Sequence, residues 1–174
     1  MVFAVLLACG CGIDRNAPPS NADRSEQRAV AYLRTVAEHI SWNAEGKVRS
    51  VDAAGASVDD GRLLDALLDL KQVEELNLSG TSISEEDLAR LQALPKLAAL
   101  SLSCSTVTDD SIGNLVRIRN LTLLDISRTG VGDGALRHLT RMRQLKYLFV
   151  QGTQLTTEGG ATLREALPDC RIQH

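Results

Sequence analysis

Residues 73–83 read VEELNLSGTSI, and the pattern of this segment returns along the chain in a fixed register. From Leu76 onward the register reads LNLSGTSI. Three further copies follow at intervals of 24 residues, namely LSLSCSTV, LDISRTGV and LFVQGTQL, which begin at Leu100, Leu124 and Leu148. A looser copy, VDAAGASV, begins at Val51, 25 residues before Leu76. A period of this length predicts short structural units that stack on one another.

Each unit has the pattern of a strand followed by a helix. Two apolar residues alternate with polar ones and therefore point inward from a strand. These pairs are Val51/Ala53, Leu76/Leu78, Leu100/Leu102, Leu124/Ile126 and Leu148/Val150. A column of helix-start residues comes eight positions after the first of each pair: Asp59, Ser84, Thr108, Gly132 and Thr156. Apolar residues then return at helical spacing. Each repeat is therefore predicted to be a short inner strand, a turn and a short outer helix.

A second column, which we call the hydroxyl column, carries small side chains, four of them with a hydroxyl: Ala56, Thr81, Ser105, Thr129 and Thr153. Over about residues 48–174 the whole pattern resembles leucine-rich repeat proteins, especially the short-repeat type of bacterial surface and periplasmic proteins. In that family this column holds Asn, whose amide bonds to the neighbouring loop, and a hydroxyl can make a similar bond. The resemblance implies an α/β solenoid with a parallel inner sheet, short outer helices and about five repeats. Ile172 lies 24 residues after Leu148, which predicts a closing strand.

The N-terminal residues 1–11 read MVFAVLLACGC, an apolar run that is too short to span a bilayer. The run is typical of a secretory leader. Leu6-Leu7-Ala8-Cys9 resembles the lipobox of bacterial lipoproteins, which implies lipidation of Cys9, with Cys11 as the alternative. The other interpretations are a disordered apolar terminus or a soluble secreted protein. Residues 12–22 form a polar, Pro-containing linker.

Residues 23–47 are predicted to cap the solenoid. Asp23 and Glu26 resemble a capping box at the start of a helix over residues 23–40. A hairpin from Ser41 to Val51 follows. Such a cap covers leucines that the first repeat would otherwise expose. Trp42 is interpreted as a core residue of this cap.

Composition limits the classes of function. The chain of 174 residues is 44% hydrophobic and only 3% aromatic, and its net charge of −3 disfavours nucleic acid as a partner. Residues 1–110 hold 10 Lys and Arg against 17 Asp and Glu, whereas residues 111–174 hold 9 against 5. The two ends of the stack should therefore differ in potential. Cys104 and Cys170 lie three strand steps apart, about 14 Å, which is too far for a disulfide.

No pattern predicts catalysis, a metal site or a cofactor. His39, His138 and His174 are far apart in repeat register, with His39 expected on the cap helix. Pairs of carboxylates stand at predicted helix starts, where they favour the helix dipole: Asp59-Asp60, Glu85-Glu86 and Asp109-Asp110. We therefore expect a protein that is not an enzyme.

The outward positions of the inner sheet provide the first candidate site. Leu123, Tyr147 and Phe149 should form an exposed apolar cluster on the concave face. With Asp125, Arg128 and Gln151, these residues are predicted to bind a protein partner.

A second candidate is a basic stripe of residues that recur one repeat apart: Arg117, Arg119, Arg141 and Arg143. Such a stripe could meet anionic headgroups or an acidic protein.

Together these features favour a monomeric, lipid-anchored, extracytoplasmic protein-binding module of the bacterial cell envelope. The alternatives are a structural or self-associating envelope component, or a cytoplasmic repeat adaptor if the leader is misread.

Overall fold

The structure is a computed structural model of the chain, and it describes residues 23–58 and 61–174. The predictions for the leader, the linker, Cys9 and Cys11 lie outside the described residues, as does the Asp59-Asp60 pair.

Seven strands form a single sheet whose spatial order is the chain order. β1 pairs antiparallel with β2, and every later pair is parallel. The strands are β1 His39–Trp42, β2 Val48–Asp52, β3 Glu75–Asn77, β4 Ala99–Ser101, β5 Leu123–Asp125, β6 Tyr147–Phe149 and β7 Arg171–Gln173. Leu76 lies opposite Leu100, and Leu148 lies opposite Ile172, so the 24-residue register and the closing strand are confirmed.

Helices form the outer layer. They are α1 Arg24–Val36, α2 Arg62–Asp69, α3 Glu85–Arg90, α4 Asp109–Leu115, α5 Leu136–Leu139 and α6 Thr157–Ala166. Short 3-10 turns at Leu91–Ala93 and Asp133–Ala135 adjoin α3 and α5. The core lies between the two layers, where inward leucines of neighbouring repeats such as Leu76, Leu100 and Leu124 are 0% exposed. The chain is therefore an α/β solenoid of stacked strand–helix units.

The cap differs from its prediction at one boundary. Asp23 does begin α1, since its Oδ1 accepts the backbone N–H of Glu26 at 2.9 Å. Glu26 does not complete a capping box, because its carboxylate accepts Lys47 Nζ at 2.7 Å instead. The helix ends at Val36, and the backbone N–H of Glu38 already donates to Asp52 on β2 at 2.7 Å. Pairing with the sheet therefore stops the helix early.

Two side chains of the cap lie on β1, and the early end of the helix changes the assignment of one of them. His39 lies on β1, so its placement on the cap helix was wrong. Trp42 also lies on β1 and packs against the core as a partly buried residue. Its buried Nε1–H has no acceptor among the described residues.

A helix start also differs from the predicted column. Ser84, Thr108, Gly132 and Thr156 occupy N-cap positions as expected. α2 begins two residues later than the column predicts, with Gly61 as its N-cap residue at φ 70°.

The hydroxyl column is structural, as interpreted, but its bonds are local. Thr81 Oγ1 donates to the carbonyl of Leu78 at 2.7 Å, and Thr129 Oγ1 donates to Ile126 at 2.6 Å. A hydroxyl is shorter than an Asn amide, so it closes the turn of its own repeat rather than reaching the neighbouring loop. These turns carry each strand toward its outer helix.

One position of each turn has a left-handed backbone, at Gly55, Gly80, Cys104, Arg128 and Gly152. Three of these five residues are glycine, which adopts positive φ without a steric penalty. Cys104 at φ 58° and Arg128 at φ 57° carry a side chain in this conformation. Both are therefore positions of local backbone strain.

We expect Cys104→Gly to raise the free energy of unfolding by about 0.5 kcal/mol. Glycine removes about 1–2 kcal/mol of strain from the left-handed backbone. Part of this stabilisation is lost, because glycine also raises the conformational entropy of the unfolded chain. Gly80→Ala should have the opposite sign, because it introduces a side chain at φ 71°. Urea unfolding of both variants measures the difference. A loss of stability in Cys104→Gly equal to that in Gly80→Ala would contradict the assignment of strain.

Candidate concave-face site

The outward side chains of the sheet form two columns, as the pairing register requires. The first contains Ser50, Glu75, Ala99, Leu123, Tyr147 and Arg171, and the second contains Asp52, Asn77, Ser101, Asp125, Phe149 and Gln173. Together they make up the concave face. Strands β2 to β4 carry mostly polar residues on this face, β5 and β6 carry the large apolar ones, and β7 is polar again. The face therefore has a polar half and an apolar half that is closed by a polar strand.

The apolar half is less exposed than predicted. Tyr147 is 46% exposed and is the one exposed large hydrophobic residue of the described part of the chain. Leu123 is only 6% exposed and Phe149 only 4%, and they form a small cluster with Ala99. Neighbouring strands lie about 4.8 Å apart, so large side chains on adjacent strands cover one another. The predicted cluster of three exposed residues is therefore wrong for Leu123 and Phe149.

The polar half is a hydrogen-bonded network that runs across three strands and one turn. Asn77 Nδ2 donates to Asp52 Oδ1 at 2.8 Å, and Asn77 Oδ1 accepts the Ser79 hydroxyl at 2.6 Å. The Ser79 hydroxyl lies 2.8 Å from that of Ser101. The network fixes the side chains on this half of the face, which presents a preorganised polar surface.

A charged group lies at the edge of this network. Arg49 pairs with Glu74 at 2.9 Å and with Glu75 at 3.1 Å. Burial raises the pKa of Glu75, Arg49 opposes that rise, and Glu74 adds to it. Because the folded-state pKa is raised, ionisation of Glu75 costs stability as the pH rises above the ordinary carboxyl range. A cation in addition to Arg49 would therefore stabilise the ionised form of Glu75.

The remaining predicted site residues occupy two places. Asp125 is half-buried beside Phe149, and its Oδ1 accepts the backbone N–H of Ser127 at 2.9 Å. Arg128 and Gln151 are exposed in turns that follow the strands, and the backbone N–H of Arg128 donates to Gln151 at 2.8 Å. Tyr147 stands at the opposite end of β6, four residues or about 13 Å from Gln151. The structure therefore places Asp125 between the apolar cluster and the turns, and it separates Tyr147 from the Arg128–Gln151 pair.

The four residues of the basic stripe are all exposed, in the loops that join outer helices to the next strands. Sequence reasoning missed how completely charge separates around them. Loops 91–98, 115–122 and 139–146 contain no carboxylate and six cations, namely Lys96, Arg117, Arg119, Arg141, Arg143 and Lys146. We call this set the basic flank. It lies at the amino ends of the parallel strands, which share one edge of the sheet.

The opposite edge is acidic. Segments 82–87, 106–111, 130–135 and 154–159, where strands turn into helices, contain no Lys or Arg. We call their carboxylates the acidic flank, which consists of Glu85, Glu86, Asp87, Asp109, Asp110, Asp133 and Glu158. Comparison of the repeats position by position could have revealed this separation, whereas a split of the chain into two halves hid it.

Groups able to perform chemistry are dispersed. His39 is on β1, His138 is on α5 and His174 follows β7. No cluster of His, Cys, Asp and Glu within residues 23–58 and 61–174 could hold a metal ion. Cys104 and Cys170 are free, as predicted. No helix in this part of the chain is long and apolar enough to cross a bilayer.

Comparison with known proteins yields similarity in structure only. No protein-family model and no curated protein matches the sequence. The tropomodulin C-terminal domain of Caenorhabditis elegans matches with a TM-score of 0.55 at 15% identity, over 83% of this chain and 92% of that domain. PEPR1, in its structure with AtPEP1, matches with a TM-score of 0.51 at 15% identity, over 82% and 24% of the two chains.

The internalin InlF of Listeria monocytogenes matches with a TM-score of 0.50 at 20% identity, over 62% of this chain and 29% of that one. The chain thus spans less than a third of the length of either PEPR1 or the internalin. Both are leucine-rich repeat proteins. The repeat register, the parallel inner sheet and these matches define the chain as a leucine-rich repeat solenoid.

Proposed function

We propose that this solenoid is a non-enzymatic module that binds a protein partner on its concave face. The observation that carries the proposal is the exposure of Tyr147. Its ring stands on the face beside a buried apolar cluster, and its phenol makes no hydrogen bond to another described residue. Tyrosine with an apolar body and a free polar tip is a frequent anchor of protein interfaces.

The surroundings of Tyr147 support a protein partner over a small molecule. Leu123 lies next to Tyr147 on the neighbouring strand, and Phe149 lies in the second column on the same strand as Tyr147; both are buried and apolar. Asp125 adds a half-buried carboxylate beside them. The network of Asn77, Ser79 and Ser101 continues the surface with fixed hydrogen-bonding groups. An aromatic anchor beside preorganised polar groups is the usual arrangement of a protein-binding surface.

We expect Tyr147→Ser to abolish partner binding without lowering the melting temperature, because an exposed ring contributes little to the core. Tyr147→Phe is the matched control that keeps the ring. Phe149→Ser should instead lower the melting temperature, since that ring is buried. The measurement compares which envelope proteins the immobilised full chain and each variant retain, with melting followed by circular dichroism. Identical retention by the Ser variant and the native chain would remove Tyr147 from the interface.

The setting we propose is the bacterial envelope, with Cys9 lipidated and the domain held outside the cytoplasm. The support is the lipobox-like Leu6-Leu7-Ala8-Cys9 in the sequence. Expression with the native leader, followed by fractionation and intact mass, tests it. A membrane-bound species that lacks residues 1–8 and carries an acylated Cys9 is expected. An unmodified full-length species in the soluble fraction would overturn the anchor and favour the cytoplasmic adaptor.

A further inference from the structure

The basic flank contributes no ion pair to the described fold. All six cations are exposed, and none has an ion-pair partner among the described residues. Arg119 and Arg143 occupy the same position of successive repeats, about 5 Å apart at their backbones. Like charges stacked in register are destabilising. Repulsion between these stacked charges therefore destabilises the solenoid, and an external anion bound to them would reduce the repulsion.

The flank is also rigid. Asn120 Nδ2 donates to the carbonyl of Pro95 at 2.6 Å, and Gln144 Nε2 donates to that of Ile118 at 3.3 Å. Each side-chain amide ties its loop to the preceding one. The backbone continues the same pattern, since the N–H of Lys146 donates to Thr122 at 2.7 Å. The cations consequently stand on a fixed frame and would lose little backbone freedom on binding.

We propose that the basic flank adsorbs to an anionic lipid bilayer and orients the concave face beside it. Juxtamembrane Lys and Arg attract anionic headgroups without any apolar contact. The acidic flank on the opposite edge would be repelled from the same surface, so one orientation is favoured. The proposal does not depend on a partner at Tyr147.

A protein partner fits this flank less well, because interfaces between proteins are built around a buried apolar centre. The flank loops carry no exposed large apolar side chain in the described structure. Nucleic acid fits less well too, given the net charge of −3 and the seven carboxylates of the opposite edge. A second copy of this chain, docking through its acidic flank, is the alternative that the experiment must separate.

The test uses the full chain with Cys9→Ser and Cys11→Ser, so that lipidation does not contribute. Binding is measured by sedimentation with vesicles of pure phosphatidylcholine and with vesicles that contain about one third phosphatidylglycerol. We expect binding that rises with the anionic lipid and falls with salt. Each neutralised cation should lower partitioning about fivefold. Arg117, Arg119, Arg141 and Arg143 changed together to Gln should therefore lose at least a hundredfold, whereas the same four changed to Lys should retain binding.

The matched control neutralises four exposed arginines away from the flank, namely Arg24, Arg28, Arg137 and Arg164, and so makes the same change in net charge. Circular dichroism establishes that each variant is folded. Equal losses in the flank and control variants would overturn the proposal, because net charge alone would then explain binding. Equal binding to both kinds of vesicle would overturn it as well. A salt-sensitive rise in the native chain's mass in lipid-free solution, absent from the flank variant, would assign the flank to a second copy instead.

Discussion

Leu100→Ala is expected to lower the free energy of unfolding by about 3 kcal/mol, within the 2–5 kcal/mol seen when a buried leucine is truncated. Leu100 is 0% exposed and lies between Leu76 and Leu124 in the inner column. The lost methyl and methylene groups leave a cavity that repeats on both sides line. Strand pairing holds those repeats in place, so they cannot collapse to fill it.

The loss should be local as well as large. In a stack, each repeat contacts its neighbours, so damage to one interface separates the chain into two shorter stacks. Hydrogen exchange should therefore show the greatest loss of protection in β3, β4 and β5. Leu136→Ala is the control, since that side chain is only partly buried, and it should cost less than half as much. A uniform loss of protection along the chain would instead indicate a single cooperative unit.

Gly159→Ala is expected to lower the free energy of unfolding by about 1–3 kcal/mol, the usual cost of forcing atoms into a packed site. A β-carbon at Gly159 would collide with Asp133 Oδ1. Asp133 cannot move freely, because it accepts the backbone N–H of Thr156 at 2.9 Å and the Thr156 hydroxyl at 2.7 Å. These bonds join one repeat to the next at the start of α6.

The matched control for Gly159→Ala is Gly130→Ala. Its β-carbon would meet Val107 O at 3.6 Å, an ordinary contact. That variant should be neutral or slightly stabilising. Thermal unfolding of the two alanine variants measures the difference. Similar melting temperatures would show that Asp133 can move aside for the β-carbon with no loss of stability.

The inter-repeat bonds also predict a pH dependence. The Thr156 hydroxyl and backbone N–H lower the pKa of Asp133 below its model-peptide value of 3.8. Because the folded-state pKa is depressed, the stability that ionised Asp133 contributes is fully present above pH 3.8 and is lost as the pH falls through the folded-state pKa. Gly159→Ala should weaken this acid-dependent loss.

The repeat architecture was predictable because it follows from spacing alone. A 24-residue period with apolar residues two apart sets which strand lies beside which, and the observed pairing of Leu124 with Leu148 follows it directly. Helix starts were predictable where Ser84 or Thr156 could cap the helix with its hydroxyl. These features depend on local chemistry repeated in register.

The misplaced features depend on contacts between elements. His39 was assigned to the cap helix because apolar residues continue at helical spacing as far as Ile40. In the structure the chain pairs with β2 from Glu38 onward. Leu123 and Phe149 were expected to be exposed because strand side chains alternate. Alternation gives the face on which a residue lies, whereas its exposure depends on the size of its neighbours. Leu123 is buried beside the larger Tyr147, which itself stays exposed.

The separation of charge between the two flanks has the same origin. The repeats stack in register, so carboxylates at successive helix starts and cations before successive strands collect on opposite edges of the middle repeats. Residue counts over halves of the chain mix the two edges, and the separation emerges once the repeats are superimposed.

The most direct test of partner binding on the concave face places a photo-crosslinking phenylalanine derivative at Tyr147 in the full chain, expressed in a bacterial host. The same derivative at Gln92, which is exposed on the outer side after α3, is the control. We expect one discrete adduct with another protein from position 147 and none from position 92. Adducts from position 92 alone, or only the chain's own dimer from position 147, would contradict a partner-binding concave face.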